Sequence, residues 1–327
     1  MLHHAVRKHL HSENEIFFYF LLQGVQFVVA LTASKELSFG DTKKNEFSFG
    51  ISLTYSYLCS TMKQAMIFAA GLGTRLKPLT DHTPKALVEV GGLPLLDIVI
   101  YKLREQGYDR FVVNVHHFAE QIEEHVAAAD YAPLVRISDE RSQLLETGGG
   151  LKKAAPLFAD EEPILIHNVD ILSNVDFQWF SRQHLPDEDA VLLVSRRKTK
   201  RYLLFDNAMR LMGWTNIETG EVKSPFPWLR EADIAIDNDL QVQIKSLNTQ
   251  HSTLNAFAFS GIHSFSPRLF LLMERFPDRF PIMDFYLSTC HRRHIVGCVK
   301  ENLRLLDVGK LDTLSEAENF LNSTIAK

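Results

Sequence analysis

The chain has 327 residues, 46% of them hydrophobic and 23% charged, with a formal net charge of -5. That length allows one large or two small domains with a sizeable core; no basic stripe suggests nucleic acid, although a small polyanionic substrate needs only a few local cations. Cys59, Cys290 and Cys298 are odd in number and lack C-x-x-C spacing, which argues against a disulfide framework or a zinc site and makes a reducing cytoplasm the default compartment.

Residues 1–15 are rich in His, Arg and Lys and precede the apolar run "IFFYFLLQGVQFVVALTA" at 16–33. The pair resembles a signal peptide or a marginal membrane anchor. Gln23 and Gln26 interrupt the run, and no small-x-small cleavage site follows cleanly. Residues 1–61 are therefore expected to be an extension, disordered or ahead of the true start, and membrane association is not expected. Met62 opens "MKQAMIFAAG", a basic and polar start just before a first strand, so residues 62–327 are expected to form the folded domain.

From there the pattern is regular. "MIFAA" (66–70) reads as a buried strand entering a glycine turn. "PLLDIVIYKLREQG" (94–107) has helical apolar spacing between a proline and a glycine. A strand over 111–115, a helix over 119–129 and a strand over 134–138 follow. "GGGLKKAAPLF" (148–158) reads as a turn into a short helix, and "PILIH" (163–167) as another buried strand. Alternation of this kind predicts an α/β fold, a Rossmann-like, mostly parallel sheet flanked by helices. From about residue 190 the texture becomes β-rich, with a hairpin turn at 216–221. It returns to helix at "PRLFLLMERF" and "IMDFYLSTCHR", and ends with strands "IVGCV" and "RLLDVG" and a last helix. This β-rich insertion is expected to form one wall of a cleft. Its Trp214 and Trp228 are expected in a small core, with packing on a bound ligand as the alternative, and His116 and His117 as packing or hydrogen-bonding groups.

In an open α/β sheet, ligands bind beyond the carboxyl ends of the strands. Three features converge there. Gly71-Leu72-Gly73-Thr74-Arg75 can bring backbone N–H groups and a planar cation up to phosphate. Lys85 follows the stiff pair Thr83-Pro84. Asp170 in "LIHNVD" and Asp307 in "LLDVG" each end an apolar strand, a poor place for a carboxylate without a partner or a metal. Two carboxylates with substrate phosphates suit Mg²⁺.

Together, "MIFAAGLGTRLKPLTDHTPKALVEVGGLPLL", "LETGGG" (145–150), "NVD" (168–170), "FSGI" (259–262) and "DVGKLDTLSEAE" (307–318) resemble the sugar-1-phosphate nucleotidylyltransferases over 62–321. The resemblance implies a GT-A-like fold, with the insertion on the sugar side of the cleft. It also implies an enzyme that makes a nucleoside-diphosphate sugar and pyrophosphate from a nucleoside triphosphate and a sugar 1-phosphate. It assigns Ala70, Gly71, Gly73, Thr74 and Arg75 to the triphosphate, Arg75 and Lys85 to charge neutralisation during reaction, and Glu146, Thr147 and Gly148 to the nucleobase. Asn168 and Gly261 would face the sugar, and Asp170 and Asp307 would hold Mg²⁺. The short form looks most like the branch using UTP and N-acetylmuramate 1-phosphate, and next like mannose- or heptose-1-phosphate guanylyltransferases. A non-catalytic paralogue that binds nucleotide sugars is the rival class; such proteins usually lose the lysine or an aspartate, and this chain keeps both. Val169 and Lys310 depart from the family's common residues, which affects the shape of the sugar pocket. Oligomeric state is not legible.

Overall fold

The computed structural model describes residues 7–12, 15–22, 25–34, 50–54, 63–159, 162–237, 240–244 and 254–325. Cys59 and Met62 lie outside them. The chain divides between Met62 and Lys63 into two units. In the first, β1 (Arg7–Ser12), β2 (Glu15–Leu22), β3 (Val25–Ser34) and β4 (Gly50–Thr54) pair antiparallel in chain order. The apolar run thus passes through two strands. Among the described residues, no helix is long and apolar enough to cross a membrane.

The second unit begins with β5 (Lys63–Phe68), a small hairpin of β6 (Glu89–Val90) and β7 (Leu93–Pro94), and α1 (Leu95–Glu105). Leu96, Val99, Ile100 and Leu103 give α1 a buried stripe, and Gly107, at φ 86°, takes the left-handed turn that ends the helix. Then come β8 (Tyr108–Val115), α2 (Ala119–Ala128), β9 (Val135–Asp139), α3 (Glu146–Ala154) and β10 (Ile164–Asn168). β9, β8, β5 and β10 lie side by side, all parallel. Alternate side chains divide between the faces: Ala65 and Ile67 pack with α1 and α2, while Met66 packs with residues of α3 and α7 (Ile282–Thr289). Strand order reverses between β5 and β10, and their carboxyl ends flank the crevice expected to hold ligand.

Beyond β10 the sheet is more antiparallel than the alternation predicts. After β11 (Ile171–Ser173), α4 (Phe177–Ser181) and β12 (Ala190–Ser195), the insertion supplies β13 (Arg201–Phe205), β14 (Leu211–Asn216), β15 (Glu221–Lys223), α5 (Pro227–Arg230), β16 (Ile234–Ile236) and β17 (Gln241–Ile244). All of it is anchored by β18 (Leu254–Phe265). The C-terminal half of β18 pairs antiparallel with β10 and its N-terminal half with β13 and β17, while β12 follows it across both halves. The switch falls at a bulge: Leu192 faces His263, but Val194 faces Phe259. Gly261, at φ 77°, sits in it, and Ser260 Oγ donates to Leu193 O at 2.8 Å. The chain closes with α6 (Phe270–Met273), α7, β19 (Ile295–Val299) beside β12, β20 (Leu305–Asp307) and α8 (Asp312–Ile325).

The three glycines of "LETGGG" lie inside the first turns of α3, where the sequence reads as a turn. Packing overrides their low helix propensity. A Cβ on Gly149 would sit 2.0 Å from Asp278 O, and one on Gly148 would sit 2.3 Å from the Phe280 ring. The chain ahead of α7 is pressed onto α3, and only glycine admits it. Gly149→Ala is expected to cost at least about 1–3 kcal/mol, because backbone must move. Urea unfolding would read this as a lower midpoint; an unchanged midpoint would contradict the packing.

Candidate active site

The loop leaving β5 is exposed from Gly71 to Arg75 apart from half-buried Gly73, whereas Ala70 is buried. Among the described residues, the backbone N–H groups of Ala70, Gly71, Leu72 and Gly73 have no protein acceptor. Gly73 takes φ 64°, and a Cβ there would lie 2.8 Å from Thr80 Cγ2 and 3.1 Å from Lys85 Cβ. Thr80 Oγ1 donates to Gly73 O at 2.8 Å. The stretch between glycine loop and lysine is therefore folded back, and the base of Lys85 packs against Gly73.

Lys85 points to the end of β10, where its Nζ pairs with Asp170 Oδ2; both side chains are largely buried. Asp170 is joined to Asp307 by an element that the sequence does not reveal. β11 and β20 form a short antiparallel ribbon in which Ile171 faces Asp307, and Val308 N donates to Asp170 O at 2.8 Å. The two strand-end carboxylates are thereby made neighbours, although 137 positions separate them (307 minus 170). Asp307 is held above the ordinary carboxylate range, first by burial and then by the charge of Asp170, with Lys85 and Arg75 opposing. The Arg75 guanidinium lies 4.0 Å from Asp307 Oδ2.

Among the described residues, no group of three or more His, Cys, Asp or Glu side chains could by itself cage a metal. A two-carboxylate site short of positive charge suits a hard divalent cation that draws its remaining oxygens from water and phosphate.

Asn168 and Gly261 meet across β10 and β18: a Cβ on Gly261 would lie 3.0 Å from Asn168 Nδ2. His167 Nδ1 lies 2.7 Å from Asn168 O, and because a carbonyl only accepts, that nitrogen carries the proton. Burial lowers the pKa of His167 to about 4, so the ring stays neutral. Asn168 and Gly261 open onto a cleft of roughly 250 Å³. Its other walls include Phe68, Thr147, Arg201, Trp214 and Phe259. Trp214 thus lines the cleft while also packing on the core; Trp228 packs in the small core under β13 and β17, where both were expected.

The "ETGGG" residues are engaged with protein. Gly148 N and Gly149 N both donate to Phe280 O, Thr147 Oγ1 accepts from Ile282 N at 2.9 Å, and Arg279 Nε donates to Glu146 Oε1 at 3.0 Å. Gly148 is buried beneath Phe280, so its amide is already spent.

Two positioning residues escaped sequence reasoning. Asn114 Oδ1 accepts from Ala69 N at 2.8 Å, while its Nδ2 donates to Glu140 Oε1 at 2.7 Å. Glu140 Oε2 accepts from Leu145 N at 3.1 Å. This buried chain ties the glycine loop to the start of α3, and burial raises the pKa of Glu140. A polar residue ending the apolar run "FVVNV" was the available signal. His116 Nδ1 lies 2.7 Å from Glu140 O, a hydrogen-bonding role as expected.

Residues 64–202 match the Nucleotidyl transferase family model. That stretch, less than half of the chain, carries the likeness to the family. It is similar to the N-acetylmuramate alpha-1-phosphate uridylyltransferases of Caulobacter vibrioides and Neisseria meningitidis. The first is 50% identical over 111 residues, 33% of this chain and 46% of the relative. The second is 39% identical over 115 residues, 35% and 49% respectively. The chain thus spans about half the length of these curated relatives. The inositol-1-phosphate CTP transferase of T. maritima shares the fold, with a TM-score of 0.60 at 16% identity over 80% of this chain and 96% of that one. The matched stretch ends just inside β13, so Gly261 and Asp307 reach the crevice from outside the matched residues.

A carboxylate whose pKa is raised by folding weakens the fold above its unfolded pKa, and the penalty disappears as pH falls below that value. Asp307→Asn is therefore expected to raise the thermal midpoint slightly at pH 7 and to leave it unchanged near pH 3.5. Equal midpoints at pH 7 would mean that Asp307 carries no net charge strain.

Proposed function

We propose that the chain is a sugar-1-phosphate nucleotidylyltransferase, with UTP and N-acetylmuramate 1-phosphate as its substrates. The observation that carries the reading is the convergence of Lys85, Asp170 and Asp307 at the ends of β10 and β20, beside a loop of unspent amides. The choice of base and sugar rests on the two uridylyltransferase relatives.

In the reaction, an oxygen of the sugar phosphate attacks the α-phosphorus in line. A new P–O bond forms as the bond to the β-phosphate bridge breaks, and pyrophosphate leaves with the electron pair. Both reactants are anions, so positioning and charge neutralisation are what the protein must supply. The amides from Ala70 to Gly73, with Thr74 and Arg75, cradle the triphosphate, and the Arg75 fork meets its charge. Lys85, held over the crevice by its packing on Gly73, offsets charge near the α-phosphate. Asp170 and Asp307 would hold Mg²⁺, which when bound supplies Lewis-acid neutralisation of phosphate oxygens. Asn168 and Gly261 orient the sugar. No side chain acts as a nucleophile. Glu146, Thr147 and Gly148, fixed by their protein partners, would form the wall that meets the nucleobase.

Full-length protein with Mg²⁺ is expected to release pyrophosphate from UTP and N-acetylmuramate 1-phosphate, faster than from other pairings of the four nucleoside triphosphates with neutral sugar 1-phosphates. No release from any pairing would defeat the assignment. Lys85→Ala and Asp170→Ala should each lower kcat about a hundredfold, near 3 kcal/mol, with the fold retained by circular dichroism. Near-normal turnover in either variant would refute the role of that residue.

A further inference from the structure

The cleft beyond Asn168 has an uncompensated charge. Its lining includes Thr147, Asn168, Arg201, Trp214, Phe259 and His263, with no carboxylate. His263 is fully buried, with Nδ1 2.7 Å from the Tyr286 hydroxyl, and burial pushes its pKa to about 3, which leaves it neutral. Among the described residues that line the cleft, Arg201, exposed at its rim, is thus the one that carries charge. It opens β13 on the same face as Leu203, whose cross-strand partner Trp214 also lines the cleft. Among the described residues, no carboxylate lies within ion-pair distance of its guanidinium. Its neighbours on the wall differ. Lys200 pairs with Glu218 at 2.6 Å, Lys223 lies 3.7 Å from Asp284, and Arg196 lies 4.0 Å from Glu301. The charge is also remote from the triphosphate apparatus, because none of Gly71, Arg75, Lys85, Asp170 and Asp307 lines this cleft.

A neutral sugar ring offers a guanidinium only hydroxyl acceptors, whereas a carboxylate offers opposite charge as well. A planar fork of N–H donors matches a carboxylate, and Arg197 and Lys198, which form no ion pair among the described residues, add attraction for an anion. Resting on the nucleotidylyltransferase reading, we propose that Arg201 is the specificity-determining residue for an acidic sugar 1-phosphate, pairing with a carboxylate carried on the ring and selecting it over the neutral counterpart. The lactyl ether of N-acetylmuramate supplies such a carboxylate; N-acetylglucosamine 1-phosphate is the same sugar without it.

The test measures kcat/KM of the full chain for these two sugar phosphates with each of the four nucleoside triphosphates, in wild type, Arg201→Gln and Arg201→Lys. Wild type is expected to prefer the acidic sugar. Arg201→Gln should lower the acidic-to-neutral ratio by roughly ten- to a hundredfold, chiefly through KM of the acidic sugar. Arg201→Lys, which keeps the charge and loses the fork, should fall between them. Efficient turnover with a ratio that Arg201→Gln leaves unchanged overturns the role of Arg201 and spares the catalytic reading. Absence of pyrophosphate release from wild type with both sugars overturns the catalytic reading and this inference with it.

Discussion

Two carboxylates forced together at strand ends are the constraint around which this molecule is arranged. Asp170 and Asp307 would repel each other and shed water only at a cost, yet the β11–β20 ribbon fixes them side by side. In the free protein the compensation comes from Lys85 on Asp170 and, more distantly, from Arg75 near Asp307. Those two cations come from the loop and short turns that follow β5, so the ribbon, β10 and the glycine loop share one electrostatic centre. On the proposed function, a divalent cation held by the two carboxylates would relieve the same strain and would free Lys85 and Arg75 for substrate phosphate.

Much of this arrangement was legible in the residues. The strand–helix alternation from 66 to 167 reports a parallel sheet because both faces must be covered, and the structure has that sheet with the predicted strands and helices displaced by only a few residues. Asp170 and Asp307 stand out because a charge ending an apolar strand needs a reason. Their pairing was not legible from spacing alone, since β11 has three residues and no pattern of its own; it exists through its register with β20. The "ETGGG" glycines misled in the other direction. Glycine in sequence suggests a turn, but here it records the close approach of a distant segment, residues 278–280, that no local pattern announces. Arg201 was equally hidden, because which face of an insertion strand meets the cleft is set by its pairing in the sheet.

That bulge reconciles two demands on β18. Its C-terminal half completes the sheet beside β10, where it must lie flat against a buried strand, while its N-terminal half must swing away to carry the insertion. The left-handed residue between the halves also brings Gly261 up to Asn168, so one backbone irregularity both redirects the sheet and shapes the cleft.

The insertion wall has its own small hydrophobic cluster, with Tyr202, Leu204, Leu229, Leu254 and Ala256 buried apart from the two cores that flank the parallel strands. Joined to the main sheet through β18, it is a replaceable cassette. Its residues can change without disturbing the Lys85, Asp170 and Asp307 centre, which is packed elsewhere. On the proposed function, the same scaffold can therefore change which sugar it accepts while keeping its triphosphate site.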